Sequence, residues 1–303
     1  SNNIMVSLWA RKDYPYIVKK DTKPLSSDEK KELFINIKAL TINKLSTVLV
    51  NNTDNIVLTY FSGLIAVGIT SNYVLLSNTL SSLTSQLFNS LTASIGNLNA
   101  IENEEKKYRI FRILNLSNFW IFSWGAIGIT CVSSDIVKLC FGENYVLGIS
   151  IPLVLAMNYY IVGMQNAVYA YKNTLGLFRY GQYLLLITAL VNLSLDIILG
   201  KKFGVLGIYI STLIARCVTN VWYEPYAVFR YGFYRSFCSY VKKYMEYILV
   251  LIFTGCICYF LCEKCTYSLI VNIFIKILIC TIVPNTIYFG IYAKSDEGKY
   301  IMG

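Results

Sequence analysis

Three charged residues lie deep inside apolar runs: Asp54, Arg216 and Lys276. An ionised group at the middle of a membrane helix costs about 2.5–3.5 kcal/mol on insertion scales. Such groups persist when they pair with one another or face a water-filled pathway. Around Asp54 the spacing favours a pathway. Asn51, Asp54 and Asn55 fall at i, i+3 and i+4, so a helix puts them on one face, and Lys44 and Val48 continue that line. Amides there can donate and accept hydrogen bonds, and the carboxylate can hold or orient a cation. Arg216 and Lys276 suit anionic groups, Arg216 through its bidentate fork. In the next apolar run, Asn78, Ser82, Ser85, Asn89, Ala93 and Gly96 share a second small and polar face. That face serves either close helix packing or the pathway. The candidate pathway residues are therefore Asn51, Asp54, Asn55, Asn89, Arg216 and Lys276.

The elements that must carry these residues are membrane spans. The 303 residues are 55% hydrophobic and only 15% charged, with mean hydropathy +0.52. That composition belongs to a polytopic membrane protein, since about 20 apolar residues cover roughly 30 Å of hydrocarbon. The runs at about 39–61, 64–98, 116–134, 146–171, 180–200, 204–223, 244–262 and 267–293 predict eight helical spans. By helix rise, Asp54 lies about 22 Å from the inner end of its span, Arg216 about 18 Å and Lys276 about 13 Å from the outer ends of theirs. Residues 1–38 hold eight basic residues and a helix start at Ser26-Ser27-Asp28-Glu29, where Ser27 and Lys30 make a cap but no capping box. An amphipathic lead-in helix, Asp28–Lys38, runs into the first span. Ile101–Asn115 reads as a charged amphipathic connection with Tyr108, Phe111 and Leu114 at the interface. Asp196, near Lys201 and Lys202, reads as an interface residue. Pro284 should kink the last span and free a carbonyl. Residues 1–10 resemble the tail of an upstream span, and no signal peptide is expected.

The net charge of +10 does not indicate nucleic acid, because the basic residues fall in loops between spans rather than beside exposed aromatics. One set of loops and ends holds 20 of them and the opposite set four, Lys138, Lys201, Lys202 and Lys264. The richer side is cytoplasmic, which puts both ends inside. The absence of His excludes His-based zinc sites and general bases. Cys256, Cys258, Cys262 and Cys265 match no zinc spacing and read as small apolar fillers, with Cys262 and Cys265 close enough in sequence to pair. No metal and no cofactor is expected. The external loops are too short to house an enzyme's site, so a membrane polymerase or acyltransferase is disfavoured.

Several segments recur together in order. They are Asn52-Thr53-Asp54-Asn55, Leu91-Thr92-Ala93-Ser94-Ile95-Gly96-Asn97, Asn158-Tyr159-Tyr160-Ile161-Val162-Gly163-Met164, Gly176-Leu177-Phe178, Gly204-Val205-Leu206-Gly207 with Thr212, and Glu224-Pro225-Tyr226 before Tyr231-Gly232-Phe233. Over roughly residues 10–235 this set resembles bacterial polysaccharide exporters of the O-antigen flippase (Wzx) type, in the multidrug/oligosaccharidyl-lipid/polysaccharide (MOP) superfamily. The resemblance implies an all-α, MATE-like transporter of two lobes, of which this chain is the C-terminal one. Residues 1–38 would be a cytoplasmic linker and lead-in helix, 39–223 a six-helix lobe, and 224–303 a cytoplasmic loop with two extra spans and a short tail. The implied cargo is a polyprenyl-diphosphate-linked oligosaccharide for surface polysaccharide or lipopolysaccharide synthesis. The implied partners are the bilayer, an N-terminal lobe of the same protein, a polysaccharide polymerase and glycosyltransferases. The implied location is the bacterial cytoplasmic membrane. The neighbouring readings in the superfamily are a drug/cation antiporter and a lipid-precursor flippase.

Overall fold

The computed structural model describes residues 2–18 and 24–302, without the side chains of 2, 3, 17, 18, 39, 43, 47–52 and 302. Among the described residues all regular structure is helical: α1 (Asn2–Asp13), α2 (Ser27–Ile101), α3 (Glu104–Phe141), α4 (Ser150–Thr174), α5 (Leu184–Val218), α6 (Asn220–Ala227), α7 (Phe237–Glu263), α8 (Leu269–Tyr292) and α9 (Asp296–Met302). Residues 1–38 and 39–303 form two compact units. In the first, Ser26 and Glu29 cap each other: Ser26 N–H donates to Glu29 Oε2 at 2.8 Å and Glu29 N–H to Ser26 Oγ at 3.2 Å. This is a capping box one residue earlier than the sequence reading placed the cap. The Ser26 backbone N–H, then its hydroxyl, holds the Glu29 carboxyl below the usual carboxylate range.

Among the described residues, five stretches are long and apolar enough to cross a membrane. Two of them fold back on themselves. Gly63 (φ 77°) interrupts α2 and Gly204 (φ 58°) interrupts α5, in a backbone region open to glycine and costly for other residues. In α5, Ser211 donates to Asp196, fifteen residues away, a span of about 22 Å in a straight helix. The Leu199 carbonyl closes on Gly207, leaving no room for a Cβ. In α2, Asp54 and Thr70 both reach the second arm of α5, at Thr212 and Tyr209. With α3, α7, α8 and the 25-residue α4, these arms account for the eight apolar runs. The protein is a polytopic helical bundle.

The core sits between α3 and α4. Phe122 packs against Gly163, and Tyr159 against Gly125, so each helix offers a gap for the other's ring. Small residues let membrane helices approach this closely. Phe119 stacks on Tyr247 at 4.4 Å, which carries the same core into α7. One expectation needs correcting. Residues 101–115 are not an interfacial connection: α3 starts at the Asn103 cap, which accepts from Lys106 N–H at 2.9 Å, and runs unbroken. Phe111 is buried among Tyr171, Phe229 and Phe233 rather than at the interface. α8 is one helix through Pro284, which has no N–H for the Cys280 carbonyl one turn back. The next residue, Asn285, donates to the Thr281 carbonyl and accepts from Trp120 Nε1–H, both at 2.6 Å.

Candidate functional site

The two folded-back helices bring Asp54 and Asp196 to one point. Asn192 and Asp196 lie at i and i+4 on the first arm of α5, on the face that meets the second arm. The Asn192 amide nitrogen donates to Asp54 Oδ1 at 2.7 Å and to Asp196 Oδ2 at 2.8 Å. From the second arm, Thr212 Oγ1 donates to Asp54 Oδ2 at 2.8 Å, and Ser211 donates to Asp196 Oδ1. Asn192 and Asp196 are fully buried, at 1% and 0% exposure, and Asp54 is half-buried. Asp196 is thus a core residue of the centre, not the interface residue that its neighbours Lys201 and Lys202 suggested.

Arg216, one turn beyond Thr212, donates to Asn158 Oδ1 at 3.3 Å. Asn158 in turn donates to the carbonyls of Val154 and Tyr209, each at 3.1 Å, which ties α4 to α5. Arg216 makes no ion pair with Asp54 among the described residues, yet the two charges interact across space. The polar seam continues from the first arm of α5 to the start of α6, where Thr188 Oγ1 meets Thr219 Oγ1 at 2.8 Å and Asn220 Oδ1 at 3.0 Å. Beyond it lies a buried ion pair, Lys172 to Glu224 at 2.5 Å.

The chemistry of the centre follows from its charge count. Two carboxylates share one amide donor, and one guanidinium stands nearby. One further positive charge, a monovalent cation or a proton, neutralises the set. Repulsion between like charges in an apolar bundle makes that neutralisation worth several kcal/mol. The donor atoms are all oxygen: both carboxylates, Thr212 Oγ1, and Asn192 Oδ1, which is buried with no hydrogen-bond partner among the described residues. The Ile208 carbonyl, which accepts from Thr212 Oγ1 at 3.2 Å, stands beside them. Oxygen donors suit a hard cation.

The structure therefore joins Asp54 and Arg216 in one neighbourhood and places the other candidates elsewhere. Asn55 and Asn89 are exposed. The Asn51 side chain lies outside the described residues. Lys276 is in an ion pair with Asp135 at 2.5 Å, between α8 and α3. Sequence reasoning passed over Asn192 and read Asp196 as an interface residue, although their four-residue spacing is the signal that drew attention to Asn51 and Asn55. On the second arm of α2, Asn78, Ser82 and Asn97 are exposed along with Asn89, while Thr84 and Phe88 face the core.

A second feature lies in the same bundle. An apolar groove of about 710 Å³ runs between α3, α4, α5 and α7. Tyr160, Cys217, Trp222, Tyr244, Ile248 and Ile252 line it, and Cys217 is the neighbour of Arg216.

Comparison with protein families and with curated proteins yields no match. Among solved structures, the chain is similar to the lipid II flippase MurJ in its inward closed conformation, with TM-score 0.55 and 17% identity over 84% of this chain. The chain spans 52% of the length of that protein. The likeness supports the polytopic helical-bundle fold.

Proposed function

We propose that this chain is the second lobe of a flippase that moves a polyprenyl-diphosphate-linked oligosaccharide from the cytoplasmic to the outer leaflet of a bacterial cytoplasmic membrane. The observation that carries the reading is the Asp54–Asn192–Asp196 centre beside Arg216, buried in an apolar bundle and short of one positive charge. In this reading a monovalent cation or proton at the carboxylates sets the position of α2 against α5, and its release resets it. Alternating access between two lobes then moves the cargo. Arg216 meets the anionic diphosphate, and the adjoining groove takes the apolar tail. The exposed polar face of α2, with Asn55 and Asn89, turns to the sugar and the other lobe, because polar faces do not stay in lipid. Residues 39–223 make the lobe, and 224–303 add α7 and α8. The bias in basic residues puts both ends on the cytoplasmic side. The surface polysaccharide is of the O-antigen kind, and the polymerase and glycosyltransferases of that system are the partners. No enzymatic step belongs to the chain.

The test uses the full-length protein in a strain lacking its own exporter. Asp54→Asn and Arg216→Ala abolish surface polysaccharide at normal protein abundance, and Arg216→Lys is intermediate because it keeps charge and loses the fork. Wild-type export from the first two variants refutes the reading. A second cargo, lipid II, is favoured by the structural neighbour. Rescue of a strain depleted of its lipid II flippase, without rescue of the polysaccharide exporter, selects it.

A further inference from the structure

Three cysteines from three helices meet inside the bundle. Cys131 of α3, Cys262 of α7 and Cys280 of α8 are all buried, and their Sγ atoms lie within 4.8 Å of one another. The Cys262 and Cys280 sulfurs are 3.9 Å apart. The local run Cys256–Cys265 gave no hint of this, since only Cys262 of that run reaches the cluster.

The geometry points to a binding site for one thiophilic d10 cation, of the Zn²⁺, Cd²⁺ or Cu⁺ class, held by the three sulfurs. A metal–thiolate bond is about 2.3 Å, so two such bonds meeting at a trigonal ion separate their sulfurs by about 4.0 Å. The Cys262–Cys280 pair already stands at that spacing, and the other pairs need only side-chain adjustment. An all-sulfur donor set selects soft metals over the hard cations suited to the carboxylate centre. Three thiolates around a divalent ion leave one negative charge, after release of the thiol protons. Lys276 stands one turn from Cys280 on α8, and its charge acts on Cys262. Its partner Asp135 stands one turn from Cys131 on α3. The two form an ion pair at 2.5 Å, so they flank the cluster as a neutral pair. Cys131 also lines the apolar groove, which opens a way in. A bound ion would clamp α7 and α8 to α3 and so fix the width of that groove.

The test uses the purified chain in detergent, reduced, with Cys140, Cys217, Cys238, Cys256 and Cys265 replaced by Ser to remove the less buried thiols. Cd²⁺ is the probe. One Cd²⁺ per chain is expected, with a thiolate-to-metal charge-transfer band, three sulfur neighbours by X-ray absorption at the cadmium edge, and a raised Tm. Cys280→Ala weakens binding by roughly tenfold or more and removes the Tm rise, whereas Cys258→Ala leaves both. Should Cys280→Ala not fold, the sulfur count on the intact cluster decides alone. The proposal is overturned by a shell of oxygen or nitrogen, by a band unchanged in Cys280→Ala, by no band at all, or by a Cys262–Cys280 disulfide as the resting state.

Discussion

Replacing Asp54 by Asn removes one charge from the centre with almost no change of shape. Two effects on folding oppose each other. Asp54 accepts from Asn192 at 2.7 Å and from Thr212 at 2.8 Å, and hydrogen bonds to a charged group contribute about 1.5–3 kcal/mol each. Against that loss, repulsion from Asp196 disappears, worth about 4 kcal/mol for charges 4 Å apart at an effective dielectric of 20. The melting temperature without a coupling cation should therefore move little. Cation binding should not survive. The same treatment gives a cation–carboxylate attraction of about 4 kcal/mol, so its loss weakens binding about a thousandfold. A cation present at a hundred times its Kd stabilises the native protein by about 2.7 kcal/mol, and by almost nothing after that loss. The assay is thermal unfolding of the purified protein in Na⁺, K⁺, Li⁺ or choline at constant ionic strength and at several pH values. The unsubstituted protein should gain stability with one small cation or with protons, and Asp54→Asn should show the same baseline without the gain. A cation-induced rise that persists in Asp54→Asn refutes the assignment of the carboxylate centre.

Three further outcomes follow from the same structure. Breaking the buried Lys172–Glu224 pair with Lys172→Met should cost about 3–5 kcal/mol by leaving a buried charge unpaired, and Lys172→Met with Glu224→Leu should recover most of it; melting of the single and double variants checks both. Cysteines at Gly63 and Lys201 should be labelled by an impermeant reagent in intact cells, and those at Lys107 and Lys242 should not; labelling at Lys107 reverses the orientation. Residues 1–303 expressed alone should insert yet not complement an exporter deletion, since the chain covers about half of its structural neighbour, 52%; full complementation removes the two-lobe account.

Much of the fold is legible in the sequence because apolar runs and their breaks are local. The breaks at Gly63 and around Gly204 are glycines whose positive φ folds a helix back on itself. The start of α3 was hidden by its charges. Lys106 and Lys107 pair with Glu102 and Glu104, which lets a helix carry a charged outer face while Phe111 enters the core. In the site, Asp54 and Arg216 stand out as charges deep in apolar runs. Asp196 does not, because distance along the chain to Lys201 and Lys202 says nothing about which side of the helix it takes. The Asp135–Lys276 pair and the three thiols depend on helices meeting across more than a hundred residues, and no local spacing encodes such a meeting.

Transport in reconstituted vesicles tests the central claim most directly. The full-length protein is placed in liposomes with a fluorescent polyprenyl-diphosphate oligosaccharide and an imposed gradient of the cation identified by melting. Loss of the inner-leaflet label should be fast and should follow the gradient for the unsubstituted protein, and should be absent for Asp54→Asn and Arg216→Ala. Equal rates from all three proteins, or a rate indifferent to the gradient, would contradict the account.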